Sequence, residues 1–447
     1  MNSHHRTKDL LVVSFALFSM FLGAGNIIFP PYMGAMAGTD WSIASLGFVL
    51  TGTGLPMLGI IAVAKAGGSA EKFCARVSPI FATVLTTIIL TFIGPLFAIP
   101  RTAATAVELA ILPFMPASID PNTLLTVGAL IFFVICLFFI LSPNSVIDRL
   151  GAFLTPFLLI FLAIIIGIGI FKPIGEPIAP APDRMGTGVF HYGFSTGYQT
   201  MDALASIVFG GTVAMTLQQK GYEGKSKESI MRKVAGLAGL GTMAVYVGFA
   251  WIGASGSGQL QTIPDRTTLT VTAIKLLSGN FGQILLALII FLACLTTAIG
   301  CLLTASDYFT GLFKNRFSYK TVAVTLTLLS YLVSIMGVEG IINLSTPLLE
   351  IIYPVAIVLI ALNLLGQKLV PYDEVFIGGV IAAIPFGVIQ ALKTITVTKP
   401  TAEEILVHVP LGPQGFAFLI PALLGCIIGW FVGKSRARKA GTLKDQA

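Results

Sequence analysis

The stretch FLGAGNIIFP, residues 21–30, places two glycines, a polar Asn26 and a proline inside an otherwise apolar run. Each glycine lowers helix propensity by roughly 1 kcal/mol, and a buried asparagine amide needs hydrogen-bond partners. One interpretation is a face of small residues against which a second helix packs. The side-chain amide of Asn26 favours a second interpretation, in which the helix is interrupted at residues 22–26 and an ion or polar ligand lies in the break.

The composition of the chain explains why such a break is costly. Of 447 residues, 55% are hydrophobic and only 11% are charged, and the mean hydropathy is +0.91. The apolar residues form long runs, which predicts an all-α polytopic membrane protein. In hydrocarbon an unpaired backbone group costs several kcal/mol, so irregular backbone persists only where protein or a watery cavity surrounds it.

The apolar runs divide into twelve predicted transmembrane spans, since one span needs about 20 apolar residues. The beginning of the chain also resembles a secretory signal peptide, but further spans follow at once, so we interpret it as a retained first helix. The predicted spans are 9–37, 41–65, 78–111, 123–141, 147–171, 188–218, 232–255, 279–312, 321–337, 346–366, 374–393 and 413–433.

The distribution of positive charge predicts the orientation of these spans. Most of the 27 lysines and arginines lie on the side that holds both termini, which is therefore predicted to be cytoplasmic. This asymmetry also accounts for the net charge of +7 without a nucleic-acid partner. The basic residues on the opposite side are Lys172, Arg184, Arg266, Lys275, Lys393 and Lys399.

A segment rich in proline and glycine, residues 172–187, predicts an outer linker that separates two groups of five spans. The predicted organisation is a first repeat at 1–171, a second repeat at 188–367, two additional helices at 368–434 and a basic cytoplasmic tail at 435–447. The first span of the first repeat and the first span of the second repeat are predicted to cross the membrane in opposite directions. The two repeats therefore have inverted topology.

The sixth span carries a second group of small and polar residues, in YGFSTGYQTMDALAS at 192–206. This group predicts a second interruption, which we place at 192–197. Two interrupted helices at corresponding positions of two halves indicate a secondary-transporter site. Exposed N–H groups favour a carboxylate and exposed carbonyls favour an ammonium group or Na⁺, so a zwitterionic amino acid suits the pair.

Four motifs together resemble the bacterial branched-chain amino acid:cation symporter family. They are FLGAGNIIFPP at 21–31, GPLFAIPRTAATAVE at 94–108, GYQTMDALASIVFG at 197–210 and LACLTTAIG at 292–300. The resemblance implies the leucine-transporter fold, a 5+5 inverted repeat plus two helices with helices 1 and 6 broken. It also implies uptake of leucine, isoleucine and valine coupled to Na⁺.

The resemblance further implies roles for individual residues. Backbone amides in the first break would receive the substrate carboxylate, and a sodium ion would lie between spans 1 and 8. For a threonine pair such as Thr296 and Thr297, the alternative is a hydrogen bond to the carbonyl one turn earlier. The predicted substrate residues are Gly23, Ala24, Gly25, Asn26, Tyr192, Gly193, Phe194 and Ser195; the predicted sodium ligands are Ser19, Leu22, Ala293, Thr296 and Thr297.

Three charged residues inside spans complete the prediction. Arg101 and Glu108 share one face of span 3, where Arg101 either gates or forms a structural tie to Glu108 or to carbonyl groups near the outer surface. Asp202 is predicted to cap the second half of span 6 rather than to relay protons. A second sodium site, with Asn26 as a ligand, is the weaker alternative.

The sequence therefore predicts a sodium-coupled symporter of the bacterial inner membrane, surrounded by lipid, that is not an enzyme and has no cofactor. No phosphate-binding motif is present to drive transport with ATP, and the five cysteines lack metal-site spacing. The alternatives are proton coupling, a different neutral amino acid as substrate, and a sensor or channel that does not accumulate solute.

Overall fold

The computed structural model describes residues 3–116, 118–141, 145–182 and 188–439, with side chains described outside 3–6 and 145–155. Regular structure in these ranges is helical throughout. The α-helices are α1 (Ser3–Phe21), α2 (Gly25–Ala37), α3 (Trp41–Val49), α4 (Leu55–Lys65), α5 (Ala70–Cys74), α6 (Pro79–Thr91), α7 (Ala98–Ala110), α8 (Pro121–Ile140), α9 (Ser145–Phe171), α10 (Val189–Tyr198), α11 (Asp202–Gln219), α12 (Gly224–Ser255), α13 (Ser257–Leu260), α14 (Arg266–Leu312), α15 (Tyr319–Ser334), α16 (Gly337–Leu369), α17 (Asp373–Lys393), α18 (Lys399–Val407) and α19 (Leu419–Lys439).

The length and hydropathy of these helices identify a polytopic membrane protein. Within the described ranges, eight helical stretches are long and apolar enough to cross a membrane, or nine if the bent pair α10 and α11 forms one span. One of the eight, Gly25–Lys65, contains a turn at Gly38, whose φ is +51°. Two shorter apolar helices, Pro156–Phe171 and Tyr319–Ser334, accompany them. The number of twelve spans stays a prediction.

Side-chain caps mark where several helices begin. Asp120, Asp265 and Ser318 each accept a hydrogen bond from the backbone N–H three residues later, at the start of α8, α14 and α15. The bonds from the backbone and side chain of Thr123, both 2.8 Å, hold the pKa of Asp120 below its usual value. This cap therefore stabilises α8 while the carboxylate is charged, and its contribution falls as the pH drops through that lowered pKa.

Regular helix stops at two places close to the predicted interruptions, although one lies further along the chain than expected. The assignment of these places to broken helices 1 and 6 stays a prediction. Residues 22–24 separate α1 from α2, within the predicted 22–26. The prediction of unwound backbone at 192–197 is wrong, because α10 is continuous through Tyr198 and the chain leaves the helix at 199–201. Met201 has a φ of +64°, a left-handed conformation that is uncommon for residues other than glycine and ends the helix there.

Other irregularities lie inside predicted span 3 and at the beginning of predicted span 8. Between α6 and α7 the backbone kinks at Gly94, and α14 kinks at Ser278 and Gly279, where predicted span 8 begins. Linker residues 172–182 are not regular helix, and 183–187 lie outside the described residues. The last helix extends to Lys439, so part of the predicted tail is helical; residues 440–447 lie outside the described residues.

The chain forms two compact units, each assembled from separate segments. The first comprises Met1–Gly54, Ile89–Asp202 and Lys233–Asn343; the second comprises Leu55–Ile88, Ala203–Arg232 and Leu344–Ala447. Neither coincides with a predicted repeat, because each takes segments from both halves of the chain. The division into two inverted repeats stays a prediction.

Small residues bring helix backbones together within each unit. In the first unit, a Cβ at Gly193 of α10 would overlap the carbonyl of Ala44 in α3, and Thr51 Oγ1 donates to Phe194 O over 2.8 Å. In the second unit, a Cβ at Gly378 of α17 would overlap the carbonyl of Gly425 in α19, and a Cβ at Gly425 would overlap the carbonyl of Gly378. Such contacts are typical of membrane helices, which associate through close packing because lipid supplies no hydrophobic drive between them.

Replacing Gly193 by alanine is expected to destabilise the first unit. The added methyl group has no room against Ala44, and overpacking of this kind costs about 1–3 kcal/mol. We expect a clearly lower unfolding temperature of the purified protein in detergent. Gly236→Ala is the matched control, because among the described residues no atom outside the backbone of its own helix lies within 4 Å of its Cβ position in α12. Equal stability of the two variants would contradict the packing role of Gly193.

Candidate functional site

The first interruption, at residues 22–24, lies in the interior of the first unit. Leu22 and Ala24 are 0% and 2% exposed, and Gly23 is also buried. The N–H of Gly23 donates to the carbonyl of Phe21 (2.8 Å) and to the side-chain oxygen Oδ1 of Asn26 (3.0 Å). Asn26 thus folds back over the break and satisfies a backbone group that α1 and α2 leave outside regular helix.

The second interruption, at residues 199–201, is stabilised by a side chain from another helix. Arg101 of α7 donates from Nη1 to the carbonyl of Gln199 (2.6 Å) and from Nη2 to the carbonyl of Thr200 (3.5 Å). Thr200 Oγ1 donates to the carbonyl of Gly197 and accepts from the N–H of Asp202. Carbonyls released where α10 ends therefore find donors within the protein.

Asn26 connects the two interruptions. Its amide nitrogen Nδ2 donates to Asp202 Oδ2 (2.7 Å) and to the hydroxyl of Tyr246, and that hydroxyl in turn donates to Asp202 Oδ2 (2.6 Å). We call these three side chains the Asn26 clamp. All are nearly inaccessible, with 1–4% exposure. The clamp joins three residues of the first unit, which are far apart in the sequence, through buried polar bonds.

Sequence analysis did not identify Tyr246 as a member of the site. It lies in TMAVYVGFAWIG, residues 242–253, where a single phenol interrupts an apolar helix. Buried tyrosine hydroxyls usually have a hydrogen-bond partner, so this isolated tyrosine was the available signal. Asp202 occupies the first position of α11, as a cap would, but its carboxylate binds side chains of other helices.

Arg101 lies closer to the centre of the site than predicted. Its side chain is 3% exposed and contacts the second interruption, whereas the sequence suggested a place near the outer surface. Glu108 Oε1 accepts from the backbone N–H of Val338 (3.0 Å), while Arg101 donates to the carbonyls of Gln199 and Thr200. The backbone of Gly94, seven residues before Arg101, is not helical, so the position of Arg101 could not be inferred from its distance along a straight span.

Glu108 lines a separate cavity of about 370 Å³ in the first unit. The lining combines the end of α7 with the starts of α8, α14 and α16, and includes apolar Val107 and Leu125. A gating role for Glu108 stays a prediction.

Four of the five predicted sodium ligands form two hydrogen-bonded pairs, Thr297 with Leu22 and Thr296 with Ala293. Thr297 Oγ1 of α14 donates to the carbonyl of Leu22 over 3.3 Å, and a Cβ at Gly23 would lie 3.3 Å from Cγ2 of Thr297. Thr296 Oγ1 donates to the carbonyls of Leu292 (3.0 Å) and Ala293 (3.1 Å) within its own helix, which is the alternative considered for this pair. Ser19 lies three residues before Leu22 in the last turn of α1.

The structure thus brings Leu22, Gly23 and Thr297 together. The polar atoms in the two hydrogen-bonded pairs are carbonyl and hydroxyl oxygens. Carbonyl and hydroxyl oxygens are the donors that hard cations prefer. Among the described residues there is no group of three or more histidine, cysteine or acidic side chains suited to a transition metal.

The four predicted substrate residues of span 6 lie before the interruption, inside α10. Gly193 and Phe194 are buried against α3, and the ring of Phe194 packs on Tyr198 with centroids 5.3 Å apart. Tyr192 and Ser195 are half-buried, and Ser195 Oγ donates to the carbonyl of Tyr192. Gly193 therefore serves helix packing and not an unwound turn, because its missing Cβ admits the backbone of α3.

Comparison with known proteins supports the family resemblance. The model of a family described as branched-chain amino acid transport protein matches residues 6–436. The chain is 36% identical over 435 residues to the branched-chain amino acid permease BraB of Bacillus subtilis, covering 96% of this chain and 97% of that protein. It is 34% identical over 427 residues to the branched-chain amino acid transport system 2 carrier protein of Pseudomonas aeruginosa, covering 95% and 96%.

Solved transporter structures show the same fold at low sequence identity. Mhp1, a nucleobase-cation-symport-1 family transporter in a closed conformation with bromovinylhydantoin bound, superposes with a TM-score of 0.62 at 14% identity, covering 96% of this chain and 93% of that one. MhsT in complex with L-phenylalanine gives a TM-score of 0.55 at 16% identity, with coverage of 94% and 98%. The match along nearly the whole chain confirms the resemblance stated from the four motifs: the chain belongs to the family of branched-chain amino acid transport proteins.

Proposed function

We propose that this protein is a secondary active symporter that imports leucine, isoleucine and valine together with Na⁺. The observation that carries the proposal is the pair of buried interruptions joined through Asn26, next to a cluster of carbonyl and hydroxyl oxygens. The names of the relatives support the branched aliphatic substrates.

The substrate is proposed to bind with its carboxylate at the amides of Gly23, Ala24 and Gly25, where α2 begins. The start of a helix carries a partial positive charge that favours an anion. Asn26 holds this turn in place, and Tyr192, Gly193, Phe194 and Ser195 are proposed to contribute to the wall around the aliphatic side chain.

Sodium is proposed to bind between α1 and α14, at Ser19, Leu22, Ala293, Thr296 and Thr297. The hydroxyls of Thr296 and Thr297 already lie 3.1 Å from the Ala293 carbonyl and 3.3 Å from the Leu22 carbonyl. A cation placed among these oxygens would replace two hydrogen bonds by ion contacts. Since Leu22 precedes the substrate-binding amides directly, ion binding would order the turn that receives the carboxylate, which couples the two ligands.

Transport is proposed to follow alternating access across the inner membrane of a bacterium. Twelve spans in a 5+5 inverted repeat plus two helices, with both termini in the cytoplasm, agree with the charge asymmetry of the loops. Spans 1, 2, 6 and 7 would rock against spans 3, 4, 8 and 9, and the fixed site between them would open to one side at a time.

The double variant Thr296→Ala, Thr297→Ala tests this proposal. Losing two ligands to a charged group, at about 1.5–3 kcal/mol each, is expected to raise the Na⁺ concentration needed for half-maximal leucine uptake by about 100-fold or more. Uptake of labelled leucine into proteoliposomes over a range of Na⁺ concentrations measures the effect. Thr304→Ala, Thr310→Ala is the matched control, because both hydroxyls donate to carbonyls one turn earlier in the same helix. Unchanged Na⁺ dependence in the first variant would refute the ion site.

Proton coupling is the second candidate, and Asp202 favours it. A carboxylate that is 4% exposed at an interrupted membrane helix is a possible proton acceptor. Leucine accumulation driven by a pH gradient in the complete absence of Na⁺ would select this mechanism. A channel or sensor is distinguished by the same vesicles, because neither accumulates leucine against its gradient.

A further inference from the structure

The guanidinium of Arg101 contacts the second interruption and lies beside the start of α2, which follows the first interruption. Besides its bonds to the carbonyls of Gln199 and Thr200, its Nη2 lies 2.8 Å from the position that a Cβ of Gly25 would occupy. Its central carbon also lies 5.3 Å from the ring centre of Phe29, the residue one turn further along α2. A side chain in this position faces any ligand held at the amides of Gly25.

The positive charge of Arg101 determines which chemical group of a ligand can bind next to Gly25, at the start of α2. Arginine stays protonated at any physiological pH, and the carbonyls of the second interruption already accept its hydrogen bonds. A second Na⁺ would therefore meet a fixed positive charge here. The start of α2 adds a partial positive charge at the same point, and both sources favour an anion.

The neighbouring carboxylate of Asp202 belongs to the Asn26 clamp, where its Oδ2 accepts from Asn26 and Tyr246. The Nη2 bond to Thr200 is long, at 3.5 Å. A ligand carboxylate is a stronger acceptor than a backbone carbonyl, and charge-assisted bonds to arginine are short and often bidentate.

We infer that Arg101 binds the α-carboxylate of the transported amino acid directly, exchanging its long bond to Thr200 for a charge-assisted bond to the substrate. This inference rests on the proposed amino acid substrate and adds a residue that determines specificity. It requires that ligands carry a free carboxylate: leucinamide, which has the same side chain and amino group, is expected to bind much more weakly than leucine.

The test compares leucine with leucinamide as competitors of labelled leucine on the full-length protein in detergent. In the wild type we expect leucine to compete about 100-fold better, the scale of a lost buried charge pair. In Arg101→Gln the leucine affinity is expected to fall until the two competitors differ by less than about threefold. Arg101→Lys, which keeps the charge but not the bidentate geometry, is expected to give an intermediate ratio.

Arg436→Gln is the matched control, since its side chain is 73% exposed at the end of α19, and it should keep the wild-type ratio. A wild-type ratio retained in folded Arg101→Gln overturns the inference. If that variant does not fold, a wild-type ratio in Arg101→Lys overturns it instead. A wild type that accumulates no leucine in vesicles refutes the proposed function, whereas a wild type that accumulates leucine but binds leucinamide equally well refutes only the role of Arg101.

Discussion

Asn26→Leu is expected to reduce the initial rate of leucine uptake by about 150- to 5,000-fold. Leucine nearly preserves the shape of asparagine but removes the acceptor of the Gly23 N–H and a donor to the Asp202 carboxylate. Breaking a buried charged network by removing one partner costs about 3–5 kcal/mol, and the cost falls on the turn proposed to receive the substrate. Initial uptake of labelled leucine into proteoliposomes, normalised to folded protein, measures the effect.

Two further variants separate loss of the site from loss of stability. Asn363→Leu removes another buried asparagine, whose Nδ2 donates to the carbonyls of Phe73 and Leu359 in the second unit. We expect it to lower the unfolding temperature while transport per folded molecule persists. Tyr246→Phe keeps the ring packed on Phe48 and removes only the hydroxyl, and we expect about a tenfold loss of uptake, the size of one buried hydrogen bond. Near-normal uptake by folded Asn26→Leu would show that the clamp has no part in transport.

Gly25→Ala is expected to reduce leucine binding and uptake by about 100-fold. The new Cβ would lie 2.8 Å from Nη2 of Arg101 and 2.9 Å from Cε2 of Phe29. Neither neighbour can move easily: Arg101 is bonded to the carbonyl of Gln199, and Phe29 is 0% exposed. Overpacking costs about 1–3 kcal/mol, and here the displaced group is also the proposed partner of the substrate carboxylate.

Binding of labelled leucine and uptake are measured together for this variant. Gly311→Ala is the control, because it lies in a helix of the same unit and, in the described part of the chain, only the backbone of that helix comes within 4 Å of its Cβ position. We expect wild-type behaviour from the control. Wild-type leucine affinity in Gly25→Ala would mean that the substrate does not approach the start of α2, and the proposed position of the carboxylate would have to be abandoned.

The class of protein, its family and its first interruption could be predicted from the sequence because their causes are local. Long apolar runs determine that helices enter a membrane, since each run must satisfy its own backbone bonds in lipid. The glycines at 23 and 25 weaken the helix by their own lack of a Cβ, and Asn26 closes the turn on Gly23, a residue three positions away. Because these effects act over a few residues, the ten residues at 21–30 are enough to predict them.

The tertiary structure alone decided the second interruption and the membership of the site. The break falls at 199–201 and not at 192–197 because the donor for the released carbonyls, Arg101, comes from a helix 98 residues away. In the sequence Gly193 suggested an unwound turn, but in the structure it allows close packing against Ala44. Tyr246, which lies 220 residues from Asn26 in the sequence, completes the Asn26 clamp. Buried polar groups must find partners wherever the fold supplies them, and pairings across such distances leave no local pattern in the sequence.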